Sequence, residues 1–190
     1  MTEDRINKIF DDSIAIISES KKISADIQKA VDLIIKCYKK GGKVVVFGNG
    51  GSAADAQHLA AELIGRFQLE RQSLPAIALT TDSSIITALG NDYSFDYVFA
   101  RQCEALVKKE DIVIAISTSG KSKNVLDGIT ASRKNGAHII GITGINGVTM
   151  KKHVDVLLVI PSKSTARIQE GHRISIHAIC ELVEENFKKN

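Results

Sequence analysis

The sequence predicts an α/β fold: a five-stranded parallel sheet with helices on both faces, preceded by two further helices. Two observations carry this prediction. Short apolar runs such as 44–47 and 111–116 show no polar alternation, which is typical of strands buried on both faces. These runs alternate with segments of helical periodicity, which favours parallel strands joined by helical crossovers. The length of 190 residues indicates a single domain over 1–190.

The chain opens with two predicted helices. Between residues 3 and 20, apolar side chains recur at helical spacing on one face. A second helix is predicted from about Ser24 to Lys39, ended by Gly41 and Gly42. Helices that precede the first strand need not lie on the sheet. We therefore expect residues 1–40 to supply contacts with another subunit.

The first predicted strand, 44–47, runs directly into the glycine-rich turn Gly48–Ser52. Glycines allow a sharp turn and bring bare N–H groups close to a ligand. Ser52 stands where an N-cap is expected, and a helix is predicted from about Ala53 to Phe67. A helix start offers unpaired N–H donors and partial positive charge, which suit a phosphate or another anion.

Residues 48–53 also match the loose dinucleotide-binding pattern G-x-G-x-x-G/A. That pattern requires an acidic residue about 20 positions further on, at the end of the second strand. Strand two is predicted to end near Leu79, and the nearest acidic residue, Asp82, comes roughly ten positions late. The match is weak, so we do not expect a nicotinamide or flavin cofactor.

Three polar residues share one face of the helix after the turn, because Asp55, His58 and Glu62 are spaced three and then four residues apart. His58 and Glu62 could hold a metal ion or act as an acid–base pair. The alternative is an ordinary surface pair on a solvated helix. The position after a glycine turn favours a functional role, since ligands of open parallel sheets bind at the carboxyl edge.

The remaining segments continue the alternation. Pro75 opens a short second strand over 76–79, and Asp82 or Ser83 can cap a helix that ends near Gly90, before a loop at Asn91–Asp92. The other predicted elements are a helix over 95–107, a strand over 111–116, a helix over 123–135, strands over 138–143 and 154–160, and a last helix over 166–187.

A second turn of small residues, Ser117–Ser122, follows the third strand. Its four hydroxyls and the backbone donors of a helix start would make a phosphate cradle. The turn lacks the GxxxxGK[ST] order of a nucleotide P-loop, so a sugar phosphate fits better than ATP. The alternative is a polar loop whose serines only cap a helix.

The last predicted helix carries another polar group. Gln169, Arg173 and His177 fall on one stripe, each four residues from the next. Taken alone, His177 is better explained as a core or interface histidine whose ring nitrogens are satisfied.

Composition argues against several classes of protein. The formal charge is only +3, with scattered basic residues, so we expect no nucleic-acid and no membrane partner. Cys37, Cys103 and Cys180 are odd in number and form no CxxC, which fits a reducing cytoplasm. The acidic, amphipathic N-terminus does not resemble a signal peptide, and no apolar stretch approaches the roughly 20 residues of a membrane helix.

Four motifs in this order resemble those of the phosphoheptose isomerases, enzymes of the sugar-isomerase (SIS) domain class. They are GNGGSAADAQHLAAEL at 48–63, GND at 90–92, ISTSGKSKNV at 116–125 and TARIQEGH at 165–172. The resemblance spans essentially the whole chain and implies a single doubly wound SIS domain. It also implies conversion of sedoheptulose 7-phosphate into D-glycero-D-manno-heptose 7-phosphate, a step toward heptose precursors of lipopolysaccharide or other surface glycans.

The resemblance also implies roles for individual residues. Glu62 and His177 would be the catalytic acid–base pair. The implied substrate-binding residues are Asn49, Gly50, Gly51, Ser52, Glu62, Asn91, Asp92, Ser117, Thr118, Ser119, Ser122 and Gln169. In members that have zinc, one ion per subunit would be bound by His58, Glu62, Gln169 and His177. One departure is Ala166, where some members place an aspartate.

A ketose–aldose conversion moves a proton between adjacent carbons. We predict that Glu62 moves it between C1 and C2 through an enediol, and that His177 shuttles the proton on the oxygens. Zinc would polarise the carbonyl.

The resemblance implies a homotetramer with shared sites. Helix geometry agrees, because Gln169 and His177 on one regular helix would lie about 12 Å apart along its axis, too far to share a metal without strain. Either Gln169 precedes the regular helix, or one ligand comes from a neighbouring subunit.

Two other classes are compared with the enzyme. Some relatives are non-enzymatic and bind the bacterial replication initiator, but their glutamate and histidine positions are replaced, whereas this chain has Glu62 and His177. A regulator that senses sugar phosphates would normally carry a DNA-binding segment, and none is visible.

Overall fold

The computed structural model describes residues 1–188 and confirms the predicted α/β fold. Five parallel strands form one sheet in the order β2-β1-β3-β4-β5. The strands are β1 (Val44–Gly48), β2 (Ala76–Ala78), β3 (Ile112–Ser117), β4 (His138–Gly144) and β5 (Val156–Ile160). The helices are α1 (Thr2–Glu19), α2 (Ser24–Lys39), α3 (Gly51–Ile64), α4 (Ser83–Asp92), α5 (Ala100–Leu106), α6 (Lys123–Lys134) and α7 (Thr165–Glu185). Over these residues, no helix combines the length and apolarity needed to cross a membrane.

The sheet is buried on both faces. Val44 and Val46 of β1 join the core formed with α2, α3 and α7. Val45 and Phe47 join a second core on the opposite face, with α5 and α6, where Phe47 stacks on Phe99 at a centroid distance of 4.9 Å. Strands with two dry faces have no polar side to show, which explains why the sequence of β1 is wholly apolar.

Chain order reverses between β1 and β3, because β2 pairs on one side of β1 and β3 on the other. At such a point the connections leave neighbouring strands toward opposite faces and open a crevice at the carboxyl edge. Here Gly48–Ser52 leads from β1 into α3, and Ser117–Ser122 leads from β3 toward α6. The two ligand loops predicted from sequence are therefore neighbours at this crevice.

The two leading helices differ in their packing. α2 lies on the sheet, where its residues Ala30, Val31 and Ile34 are buried in the chain's own core. Within α1 no residue is buried, and it packs against α7. The exposed apolar side chains of α1 are Ile6, Ile9, Phe10 and Ile14.

One predicted cap is wrong. α3 begins at Gly51, so Ser52 lies inside the first turn and is not the N-cap. Gly50 takes that position with φ 55° and ψ −121°, and residues with a Cβ rarely adopt a positive φ of this kind. The helix also ends at Ile64, short of the predicted Phe67, because Gly65 leaves helical geometry.

Other predicted boundaries are wrong where tertiary context overrides local signals. Asn91–Asp92 form the end of α4 instead of a loop, and the N–H of Tyr93 still donates to Leu89 at 3.1 Å. The helix predicted over 95–107 is divided into a 3₁₀ turn, Phe95–Tyr97, and α5. A 3₁₀ segment over Ile145–His153 was not predicted at all.

Candidate active site

The polar stripe of α7 faces α3, and the two helices run side by side in the same direction. A step of three or four residues along α3 matches a step of four along α7. The contacts are Gln169 against Gly51, Arg173 with Asp55, and His177 with His58. We call this interface the α3–α7 seam. It brings together three of the residues to which the sequence analysis gave a chemical role, namely His58, Glu62 and His177.

His58 is the centre of this group. Its Nε2 lies 2.9 Å from Nε2 of His177 and 3.3 Å from Oε1 of Glu62. Burial and the positive charge of Arg173 lower the pKa of His58, although Glu62 acts in the opposite direction. Neutral imidazoles can share one proton between facing nitrogens, so the pair suits proton transfer next to a carboxylate. Glu62 retains 22% side-chain exposure, so a substrate can reach it.

The three side chains are of the types that bind zinc. Tetrahedral ligands at about 2.0–2.1 Å from the ion place their donor atoms roughly 3.3 Å apart. The His58–Glu62 separation matches this spacing, and the two imidazoles are a few tenths of an ångström too close. As the side chains stand, residues 1–188 contain no group of three or more His, Cys, Asp or Glu arranged to hold a metal ion. The residue types therefore suit zinc, whereas their present arrangement does not form a metal site.

Gln169, the fourth predicted ligand, is not brought to the other three. It lies inside regular α7, which begins at Thr165, so the possibility that it precedes the helix is wrong. Its amide lies against Gly51, where an added Cβ would meet Nε2 at 2.1 Å. Along α3, Gly51 and His58 are about two turns apart, roughly 10 Å. Within one chain, Gln169 therefore belongs to the carboxyl edge of the sheet.

A partly buried charge pair, Arg173 with Asp55, lies between Gln169 and His58 along the seam. Nη2 and Nε of Arg173 lie 2.6 and 3.0 Å from Oδ1 of Asp55, whose side chain is almost fully buried. The neighbouring His172 is fully buried, and neither of its ring nitrogens has a hydrogen-bond partner in residues 1–188. Burial lowers the pKa of His172 to about 4. No role is predicted for His172 from the sequence, because its spacing places it off the polar stripe.

The serine loop at the end of β3 is preformed. Oγ of Ser117 lies 3.3 Å from Oγ of Ser122 and accepts the N–H of Gly120 at 3.1 Å. Gly120 has φ +64° and packs so closely on Gly147 that a Cβ would meet its Cα at 2.4 Å. Ser122 precedes α6 but its side chain makes no capping bond. Its hydroxyl and the first N–H groups of α6 therefore remain available to an anion, and the interpretation that this serine only caps the helix is wrong.

The two loops of the crevice are joined by a pair of amides. Asn49 and Asn124 donate to each other at 2.8 and 2.9 Å. Asn124 was missed in the sequence analysis, although it lies within the motif ISTSGKSKNV and only two residues after the serine loop. The reciprocal bonds hold the glycine turn next to the serine loop, so the predicted sugar and phosphate contacts share one crevice.

Asn91 and Asp92 lie apart from these contacts. Nδ2 of Asn91 donates to Oδ1 of Asp92 at 2.9 Å, and both residues are exposed at the end of α4. Within residues 1–188 they make no hydrogen bond to Asn49 or to the serine loop.

The crevice and the acid–base group are separated in a single chain. α3 begins at the carboxyl edge and runs back along the sheet, so Glu62 lies about three turns, roughly 16 Å, beyond Gly51. A seven-carbon sugar phosphate covers about 10 Å from C1 to phosphorus, because an extended chain advances about 1.2 Å per bond. The extended substrate is therefore shorter than the rise of α3 from Gly51 to Glu62.

Comparison with known proteins places this fold among sugar-phosphate enzymes. A model of the SIS domain matches residues 9–144. The phosphoheptose isomerase of Campylobacter concisus (strain 13826) is 52% identical over 171 residues, which cover 90% of each chain. The structure of the phosphoheptose isomerase from Neisseria gonorrhoeae has a TM-score of 0.92 at 41% identity, covering 97% of this chain and 100% of that one. The structure of a phosphoheptose isomerase from Francisella tularensis has a TM-score of 0.93 at 37% identity, covering 97% of this chain and 99% of that one.

Proposed function

Because the chain belongs to the phosphoheptose isomerase family of SIS-domain proteins, we propose that it converts D-sedoheptulose 7-phosphate into D-glycero-D-manno-heptose 7-phosphate. The product would feed the synthesis of nucleotide-activated heptoses for surface glycans. The observation that carries the proposal is the convergence of Glu62, His58 and His177 on the α3–α7 seam. A carboxylate beside two imidazoles supplies both the base and the proton carrier that an enediol route requires.

Glu62 acts as the base. Its carboxylate removes a proton from C1 of the ketose, and the same proton returns to C2 of the enediol. His177 moves the proton between the two substrate oxygens, for which an imidazole is suited because it both donates and accepts near neutral pH. His58 holds the ring of His177 through the 2.9 Å contact. The net change is a transfer of hydrogen from C1 to C2 within one molecule, with no external oxidant or reductant.

A zinc ion is compatible with this group. His58, Glu62 and His177 would hold it, and Gln169 could join them only from another chain. When bound, the ion would polarise the substrate carbonyl. Binding would occupy the carboxylate that Glu62 uses as a base, so catalysis measured with and without a chelator separates the two roles.

The phosphate binds in the serine loop. Ser117, Thr118, Ser119 and Ser122 surround the start of α6, whose free N–H groups and partial positive charge favour an anion. Asn49 and the glycines of the β1 loop contact the sugar hydroxyls beside it. This binding energy orients the far end of the substrate and helps to place C1 and C2 at the base.

Each working site is built from more than one chain of a homotetramer. The separation of roughly 16 Å between Gly51 and Glu62 along α3 supports this, as does the placement of Gln169 away from His58. The apolar stripe of α1, with Phe10 64% and Ile14 63% exposed, supplies a surface that another subunit can cover. Light scattering at micromolar concentration should give about four times the 20.6 kDa of one chain, whereas a monomer would contradict the assembly.

The direct test is an isomerase assay on sedoheptulose 7-phosphate, with and without a chelator. We expect aldose product in the untreated enzyme. Complete inactivity of the folded, metal-supplemented oligomer would contradict the proposal. If the chelator abolishes turnover and added Zn²⁺ restores it, the metal takes part in the reaction. If the enzyme keeps full activity in chelator, the reaction does not need the metal.

A cytoplasmic site of action fits the three cysteines, which are all buried and free. Burial raises the pKa of Cys37 and Cys103 to about 11 and that of Cys180 to about 12. Thiols of this kind stay protonated and unreactive in a reducing compartment.

A further inference from the structure

A second buried charge pair lies at the far end of the α3–α7 seam. Arg71 belongs to the irregular segment after α3, and Glu184 lies in the last turn of α7. Nε of Arg71 is 3.3 Å from Oε2 of Glu184, and both side chains are only 1% exposed. Two charges withdrawn from water in this way need many compensating contacts, and those contacts show what the pair holds in place.

The guanidinium of Arg71 binds the end of α3. Nη2 donates to the main-chain carbonyl of Glu62 at 2.7 Å, and Nη1 donates to that of Leu63 at 2.9 Å. Nη1 also donates to the carbonyl of Gln72 at 2.9 Å. The last carbonyls of a helix have no partner within the helix, so Arg71 fixes the turn of backbone that carries the proposed base.

The carboxylate of Glu184 binds the backbone that follows. It accepts the N–H groups of Phe67, Gln68 and Leu69 at 2.8, 2.7 and 2.6 Å. Burial alone would raise the pKa of Glu184, but these N–H groups and Arg71 outweigh burial and lower it. The carboxylate therefore stays charged, which keeps these three bonds strong.

The segment that Glu184 holds reaches the second proposed catalytic group. The ring of Phe67 lies 5.4 Å from the imidazole of His177, tilted by 42°. His177 also contacts His58. Two rings therefore pack on the imidazole, Phe67 from the segment bound by Glu184 and His58 from α3.

We propose that the buried Arg71–Glu184 pair positions the acid–base group: Arg71 sets the backbone of Glu62, and Glu184 sets Phe67 against His177. Neither residue touches the substrate. This inference rests on the proposed function, because the pair is argued to position the groups that react and not the loop that binds the phosphate. Disturbing the pair should therefore lower kcat and leave KM nearly unchanged.

The test compares Arg71→Lys, which keeps the charge but loses the forked donors, with Glu184→Gln, which is nearly isosteric. Phe67→Leu removes the ring beside His177 while leaving the pair intact. The matched control is Asp111→Asn, immediately before β3. Asp111 is also a buried carboxylate, pairs with Lys43 at 2.6 Å, and accepts the N–H groups of Lys43 and Lys108.

We expect Arg71→Lys and Glu184→Gln to lower kcat by about tenfold or more, with KM changed by less than about twofold. Phe67→Leu should lower kcat by about three- to tenfold. Asp111→Asn should lower the melting temperature by a similar amount but keep kcat within about twofold of wild type. If both pair variants retain kcat, or if the control loses as much, the pair only stabilises the fold. Should the pair variants fail to assemble, the kcat of Phe67→Leu decides.

An activity-independent readout separates this inference from the proposed function. In protein labelled with ¹³C-histidine, the imidazole resonance of His177 is assigned by its absence in His177→Ala. Glu184→Gln and Phe67→Leu should shift that resonance, because the aromatic ring current changes, and Asp111→Asn should not. If the wild type is inactive but the His177 resonance shifts in Glu184→Gln and Phe67→Leu, the proposed function is overturned and the positioning role is kept. If the wild type is active and the resonance does not shift in these variants, the positioning role is overturned.

Discussion

The crevice at the carboxyl edge and the acid–base group on the α3–α7 seam are built in opposite ways. The crevice consists of short loops, glycines and hydroxyls, and its donors come largely from the backbone at the starts of α3 and α6. The seam consists of long charged or ionisable side chains contributed by two helices, at distances of 2.6–3.3 Å. Loops of small residues leave room for a ligand, whereas a packed seam holds reacting groups at fixed distances.

The difference also concerns distance. In one chain Gly51 and Glu62 are separated by roughly 16 Å along α3, and we propose on this ground that different chains supply the two regions to one substrate. A change in the seam should then affect turnover, a change in the crevice should affect binding, and assembly should be needed for both.

The largest effect is expected in the seam. Glu62→Gln keeps the size of the side chain but removes the base, and we expect kcat to fall by about 100- to 10,000-fold. Substrate binding, followed by calorimetry, should change little, because the phosphate is held in the serine loop. A variant that keeps more than about a tenth of wild-type kcat has lost less than 1.4 kcal/mol of barrier reduction, which would exclude Glu62 as the base.

A smaller effect, of the other kind, is expected in the crevice. Ser119→Ala combined with Ser122→Ala removes two hydroxyl donors, and we expect KM to rise by about tenfold or more, with a lesser loss of kcat. The matched control is Thr130→Ala on α6, whose hydroxyl is exposed and, among the described residues, donates only to the carbonyl of Leu126 in its own helix, at 2.9 Å. An unchanged KM in the double variant would refute the phosphate assignment.

The smallest effect concerns stability and is confined to the buried side of α7, next to the seam. Burial lowers the pKa of His172 from 6.5 to about 4, so the unfolded chain binds a proton that the folded chain refuses. The contribution of neutral His172 to the free energy of unfolding should therefore be fully present above about pH 6.5. It should be lost as the pH drops toward 4. Between pH 6.5 and 4, the melting temperature of His172→Leu should fall less than that of wild type. Parallel pH dependences would show that His172 is not the buried group that titrates.

The sequence predicted the crevice better than the seam, for a physical reason. Strands β1, β2 and β5 are wholly apolar, and the turns that follow β1 and β3 each consist of consecutive residues. Local pattern therefore reveals them. Even so, Ser52 was misassigned as the cap and Asn91–Asp92 as a loop, because glycine and asparagine favour turns but do not compel them.

The seam depends on contacts between distant parts of the chain. His58 and His177 are 119 residues apart, and Phe67 and Glu184 are 117 apart. Spacing on α7 indicated which side of the helix is polar, but not that it faces α3. Arg71 and Glu184 were missed because a charge in a loop and a charge near a helix end are ordinary surface features until the fold buries them.

The most direct test of a site shared between chains mixes two variants, each damaged in one region. Glu62→Gln has an intact crevice, and Ser119→Ala with Ser122→Ala has an intact seam. The two proteins are dissociated, combined in equal amounts and reassembled, and kcat/KM is compared with that of each protein reassembled alone. Random assembly should place an intact crevice opposite an intact seam in about a quarter of the sites, so activity should return toward a quarter of wild type. Reassembled oligomers no more active than either parent would contradict the shared site, because every site within one chain would keep its defect.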